Sequence, residues 1–157
     1  MGVYVSTTFH GVHSTPIQTV LELLKTLEID GVELGSTHVY QEDFLQVVLN
    51  SGIKNFLVHN YCPPAKNDLV INIASDDDVI RKASVDHIKK CLTFSKEVNS
   101  KLYTFHPGFL SDPLGVSSQT QKSNSLNYDF SFGKATSSYG KAIDRMNRSL
   151  EEIVDDA

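Results

Sequence analysis

The stretch NFLVHNYCPP, residues 55–64, decides how the rest of the chain is read. Its first five residues form a nearly continuous apolar run that ends in a histidine, and Pro63-Pro64 then forbids regular helix. A strand that is apolar on both sides belongs in a sheet covered on both faces, as in a parallel sheet flanked by helices. Working outward, residues 102–106 (LYTFH) repeat the pattern and stop at Pro107-Gly108. Upstream, residues 3–7 alternate β-branched, aromatic and hydroxyl side chains, and residues 32–34 make a short strand ended by Gly35.

Between these strands the spacing is helical. Ile17, Val20, Leu21, Leu24 and Leu27 recur behind Ser14-Thr15-Pro16, which supplies a capping hydroxyl and a proline where no backbone donor is needed. A second helix begins near Glu42, carries Phe44, Leu45, Val47, Val48 and Leu49, and stops at Gly52. Ser75 followed by Asp78 starts a third helix over residues 78–97, with Val79, Ala83, Ile88, Cys91 and Leu92 assigned inward. Residues 134–154 give a last helix with Ala142, Ile143, Met146, Leu150 and Ile153 on one stripe. Residues 111–134, rich in Ser, Asn, Gln and Gly, have no period and read either as a lid or binding segment or as a plain surface loop.

Strand and helix thus alternate four times, which predicts an α/β fold of four βα units around a parallel sheet. Two architectures compete, an open doubly wound sheet and part of a (β/α)8 barrel. A complete barrel takes about 250 residues, so a chain of 157 has room for half of one. Pattern and length leave both open. With 40% hydrophobic and 21% charged residues the composition is that of a globular domain with a core. A net charge of −5 without a basic stripe argues against a nucleic-acid partner. Cys62 and Cys91 lack CxxC spacing and nothing resembles a secretory signal, so two reduced cysteines in a cytoplasmic protein are expected. No apolar run approaches the roughly 18 residues of a transmembrane helix.

Ligands of parallel α/β proteins bind at the carboxyl ends of the strands. The first strand ends in Ser6-Thr7-Thr8-Phe9-His10, the second carries Glu33, the third ends at His59-Asn60-Tyr61 and the fourth at His106-Pro107-Gly108. Imidazole and carboxylate are common ligands of zinc and related ions, and His59 and His106 read as corresponding positions on adjacent strands, with α-carbons about 5 to 7 Å apart. Tyr61 and Cys62 border the same rim. His10 and His13 read as solvated loop positions, His38 and His87 have no constellation around them, and His87 reads as a surface residue.

DGVELGS (residues 30–36), NFLVHNYCPP, INIASDDDVIRKASVDHIKKCLTFSKEVNSK (residues 71–101) and LYTFHPGF together resemble the xylose isomerase-like barrel superfamily. That superfamily includes sugar phosphate isomerases and epimerases and the endonuclease IV type of apurinic endonucleases. The resemblance runs from Val3 to Ala157 and covers the first half of the family's TIM (β/α)8 barrel, which implies a single (β/α)4 half-barrel domain over residues 1–157, incomplete relative to the family. It implies metal-assisted chemistry at the carboxyl rim. In endonuclease-like members the histidines matching His59 and His106 are metal ligands, whereas in the isomerases and epimerases they contact or orient substrate and the main ligands come from later strands.

The implied function is the N-terminal half of a metal-dependent sugar or sugar-phosphate isomerase or epimerase. Glu33, His59, Tyr61 and His106 would bind substrate, and His59 and His106 would bind a divalent Zn, Mn or Mg ion. The family's acid/base residues lie beyond Ala157, so the site is expected to be incomplete and the chain alone inactive. Completion would come from a C-terminal half or from a homodimer. Two alternatives stand beside this, an apurinic endonuclease-like phosphodiesterase and a non-catalytic half-barrel association module.

Overall fold

The computed structural model describes residues 3–10, 15–36, 38–67, 69–114, 131–132, 134–135 and 137–155. Four strands, β1 (Val5–Ser6), β2 (Gly31–Leu34), β3 (Asn55–His59) and β4 (Tyr103–Thr104), pair in parallel in the order β1-β2-β3-β4. Helices α1 (Ile17–Thr26), α2 (Phe44–Asn50) and α3 (Asp78–Glu97) follow the first three strands, and α4 (Tyr139–Asp155) follows the fourth. Every strand is added beside its predecessor and on the same side. A doubly wound sheet would reverse its strand order at a switch point, so the sequential order selects the barrel-type arrangement.

The chain forms two compact units, Met1–Lys66 with Lys90–Phe105, and Asn67–Lys89 with His106–Ala157. The first holds the whole sheet. Its core joins Ile17, Val20, Leu21 and Leu24 of α1 to Val32 and Leu34, Phe56 and Val58, Phe44 and Val48 of α2, and Phe94 near the end of α3. The alternation explains the strand patterns, since Val32, Leu34, Phe56 and Val58 point into this core and the residues between them stay half-buried. In the second unit Ile71, Ile73, Val85, Ile88, Ala142 and Ile153 are buried. There α4 is fastened by Ser149, whose hydroxyl donates to the Ile73 carbonyl at 2.9 Å, and by Arg145, whose Nε donates to the Ala74 carbonyl at 3.0 Å.

Several sequence expectations shift. The first strand is only Val5–Ser6, because the chain turns into a 3₁₀ helix at Thr7–His10. Pro16 itself is the N-cap of α1, with no side-chain cap, and Leu27 lies past the helix at 58% exposure. The cap of α3 is Asp77, which accepts the Val79 N–H at 2.7 Å, while Ser75 accepts the N–H of Asp77 at 3.0 Å. The buried stripe of α3 runs through Ser84, Val85, His87, Ile88, Cys91, Phe94 and Ser95, so Val79 and Ala83 are exposed and His87 is a buried residue. The apolar residues misled the phase because two serines take inward positions, their hydroxyls donating to the carbonyls one turn back, Ser84 to Ile80 at 2.8 Å and Ser95 to Cys91 at 2.7 Å. Helix α2 begins at Phe44 and α4 at Tyr139, later than expected. His13 and most of the expected loop over residues 111–134 lie outside the described residues. A two-residue antiparallel pair, β5 (Pro113–Leu114) with β6 (Ser131–Phe132), falls within that loop's span.

Candidate functional site

The register fixes which side chains share the sheet face away from the helices. Ser6 pairs with Glu33, Glu33 with Leu57, and His59 with Thr104, so Ser6, Glu33, Leu57, His59 and Thr104 line one face. Glu33 and His59 stand on neighbouring strands two residues out of register, about 8 Å apart at their α-carbons. Both are half-buried. The residue opposite His59 is Thr104, two positions before His106, which corrects the expectation that the two histidines occupy corresponding places. The His59 Nδ1 lies 2.9 Å from the Thr104 hydroxyl, an arrangement that fixes the plane of the ring.

Past His59 the chain leaves the sheet at Asn60, which has a left-handed backbone (φ 54°) that asparagine tolerates better than most residues. The N–H of Asn60 donates to the Thr104 carbonyl at 2.7 Å. Its own carbonyl accepts the Tyr103 hydroxyl at 2.9 Å and the Cys91 thiol at 3.5 Å. The side chain is buried, and its Oδ1 has no hydrogen-bond partner among the described residues. Tyr61 follows, half-buried, and Cys62 is fully buried. Burial pushes the Cys62 thiol well above its ordinary range, helped by the neighbouring Cys91, and burial likewise pushes Cys91 up to about 12. Burial, followed by the charge of Cys91, also raises Tyr103. The two cysteines are free thiols that lie beneath the rim as neutral packing groups.

At the ends of β1 and β2 a second polar tie appears. The Thr7 hydroxyl accepts the Gly35 N–H at 3.0 Å and meets His38 Nε2 at 2.7 Å, with His38 buried against Phe44. His38, which the sequence left without a constellation, thus joins the tie that holds these two strand ends together.

In the second unit His106 is exposed and stands at the start of a turn that is bound from within. The Pro107 carbonyl accepts the Ile73 N–H at 2.9 Å, and the Phe109 N–H donates to Asn72 Oδ1 at 3.0 Å. Gly108 has φ 142°, and a Cβ there would strike the Asn72 side chain, so glycine is required for this close approach. Asn60, Thr104 and Asn72 were not singled out by sequence. Asn72 carried a signal, a lone amide in the apolar run Val70-Ile71-Asn72-Ile73-Ala74.

Among the described residues no three His, Cys, Asp or Glu side chains come together as a cation site. No helix among the described residues is long and apolar enough to cross a membrane.

No family model matches the chain, and no curated protein does. Among solved structures it is similar to D-psicose 3-epimerase in the presence of D-fructose, with TM-score 0.63 and 13% identity over 100% of this chain and 48% of that one. It is also similar to a D-tagatose 3-epimerase-like protein, with TM-score 0.61 and 17% identity over 100% of this chain and 49% of that one. The chain spans about half the length of these structures. At such identities the likeness establishes the fold alone, and four parallel strands alternating with helices, matched over about half of each neighbour, are consistent with half of a TIM barrel.

Proposed function

We propose that this chain is one half of a metal-dependent sugar or sugar-phosphate isomerase or epimerase, whose reaction removes a proton next to a carbonyl. The observation that carries the proposal is the shared face on which β2 and β3 present Glu33 and His59, in a fold held in common with a 3-epimerase and a 3-epimerase-like protein. In this reading the His59 ring, oriented by Thr104, and His106, on its bound turn, meet substrate oxygens or serve as two ligands of a Zn, Mn or Mg ion. Glu33 accepts hydrogen bonds from sugar hydroxyls, and Tyr61 lines the pocket. When bound, such an ion polarises substrate oxygens and stabilises charge that develops on them. The acid/base groups and remaining ligands come from a complementary half barrel. β1 and β4 are the two edges of the sheet, and four further strands, from a second copy or another segment, would close it. Two buried free thiols support a cytoplasmic setting.

The test is titration of the isotope-labelled chain with a ketohexose and separately with Mn²⁺, followed through the imidazole resonances. Sugar is expected to shift, and Mn²⁺ to broaden, the signals of His59 and His106, with His59→Ala and His106→Ala each weakening the response of the other. Silence of both histidines toward sugar and metal would overturn the proposal.

A further inference from the structure

We infer that Asn72 is a positioning residue, whose carboxamide clamps the His106-Pro107-Gly108-Phe109 turn and so sets where the His106 imidazole is presented. The role assigned to His106 rests on the proposed function, while the clamp stands on geometry alone.

Asn72 is fully buried, and each polar atom of its side chain is engaged. Oδ1 accepts two backbone N–H groups, from Ala74 at 3.2 Å and Phe109 at 3.0 Å, which uses both of its lone pairs. Nδ2 donates to Asp112 Oδ1 at 2.8 Å, and the other Asp112 oxygen accepts the Ser75 hydroxyl at 2.7 Å. The main-chain N–H of Asn72 donates to the Ser84 hydroxyl at 2.9 Å, which ties the hub to α3. One side chain therefore joins the segment before α3 to the turn after β4 and to Asp112 beyond it.

The chemistry of the hub is selective. Alanine would remove the acceptor of the buried Ala74 N–H and the part-buried Phe109 N–H and the donor to an Asp112 oxygen, and aspartate would set a second carboxylate against Asp112. His106 is itself exposed, and the backbone that carries it leads directly into the turn that Asn72 holds. That backbone is held three residues later by Asn72, and at Pro107 by the N–H of Ile73.

The network also dictates its own rescue. In the double variant Asn72→Asp with Asp112→Asn, the new carboxylate accepts the Ala74 and Phe109 N–H groups and the new amide donates back to it. The Ser75 hydroxyl then donates to the amide oxygen at position 112, and every donor again has an acceptor. Amide hydrogen exchange and the His106 imidazole resonance would be measured in the wild type, Asn72→Ala, Asn72→Asp and the double variant. Asn72→Ala is expected to speed exchange at Phe109 by about tenfold or more, the effect of losing one hydrogen bond, and Asn72→Asp to speed it through repulsion from Asp112, and both to move the His106 resonance, while β2 and β3 amides keep their protection. The double variant is expected to restore both, and remains the deciding case if a single variant does not fold. Unchanged exchange at Phe109 in Asn72→Ala, faster exchange with an unmoved His106 resonance, or a folded double variant that restores neither would overturn the inference. A wild-type His106 that ignores sugar and Mn²⁺ would sink the proposed function while leaving these readouts decisive for the clamp.

Discussion

The Nδ1 of His59 meets the hydroxyl of Thr104 at 2.9 Å, directly across the β3–β4 pair. The partner that orients this histidine is thus a hydroxyl on the next strand. Thr104→Val keeps the shape of the side chain and removes that partner. Because Thr104 is exposed, the variant is expected to lose no more than about 1 kcal/mol, measured by urea unfolding, and to alter the His59 ring resonance clearly. An unchanged His59 signal would remove Thr104 from the site.

Asn60 combines a left-handed backbone with a buried Oδ1 that has no partner among the described residues. Asn60→Gly relieves both, since glycine accepts positive φ and carries no side-chain carbonyl to leave buried. It is predicted to be neutral or stabilising by up to about 1 kcal/mol, whereas Asn60→Ala, confined to the same φ, is predicted to destabilise. Thermal melts of the two variants should rank glycine above alanine, and the reverse order would refute this account.

Cys62, Cys91 and Tyr103 all ionise later in the folded protein than in the unfolded chain, because burial disfavours their anions. Unfolding at high pH therefore releases protons, and stability is full below pH 9 and falls as pH rises. For Cys91 the window runs from its ordinary 9.0 to about 12, at about 1.4 kcal/mol per pH unit. Urea midpoints between pH 8 and 11 should decline steeply above 9, and Cys91→Ala should flatten the slope by one group's share. A level profile would contradict the burial argument.

Arg145 is half-buried and serves three partners, the Ala74 carbonyl, the Ser137 hydroxyl at 2.7 Å and the Asp76 carboxylate at 3.0 Å. Asp76 is half exposed, so the ion pair contributes little and the carbonyl bond dominates. Arg145→Ala is predicted to cost about 1.5 to 3 kcal/mol in chemical unfolding. Arg145→Lys should recover only part, because an ammonium lacks the planar fork that reaches three directions. Asp76→Ala should cost less than half as much as Arg145→Ala.

Features that depend on neighbours in the chain were legible from sequence. The bounds of β3 at Asn55 and His59 and of α3 at Asp78 and Glu97 coincide with the expected ones, because a run of apolar residues ending at turn formers is a local signal. The stop at Gly52 appears as expected with φ 80°. The alternation of strands and helices was enough to predict a parallel sheet, while the choice between an open sheet and part of a barrel waited on the strand order.

Tertiary structure decided what lies opposite what. Whether His59 meets His106 or Thr104 depends on the register of two strands 45 residues apart, and one step of register changes the facing side chain. The inward phase of α3 depended on Ser84 and Ser95 satisfying their hydroxyls within the helix, which let polar residues occupy positions that apolar periodicity assigns to others. Asn72 stood out in sequence only as an amide among apolar neighbours. Its meaning came from Phe109 and Asp112, 37 and 40 residues away, because a buried amide is stable only where folding delivers partners for every donor and acceptor it carries.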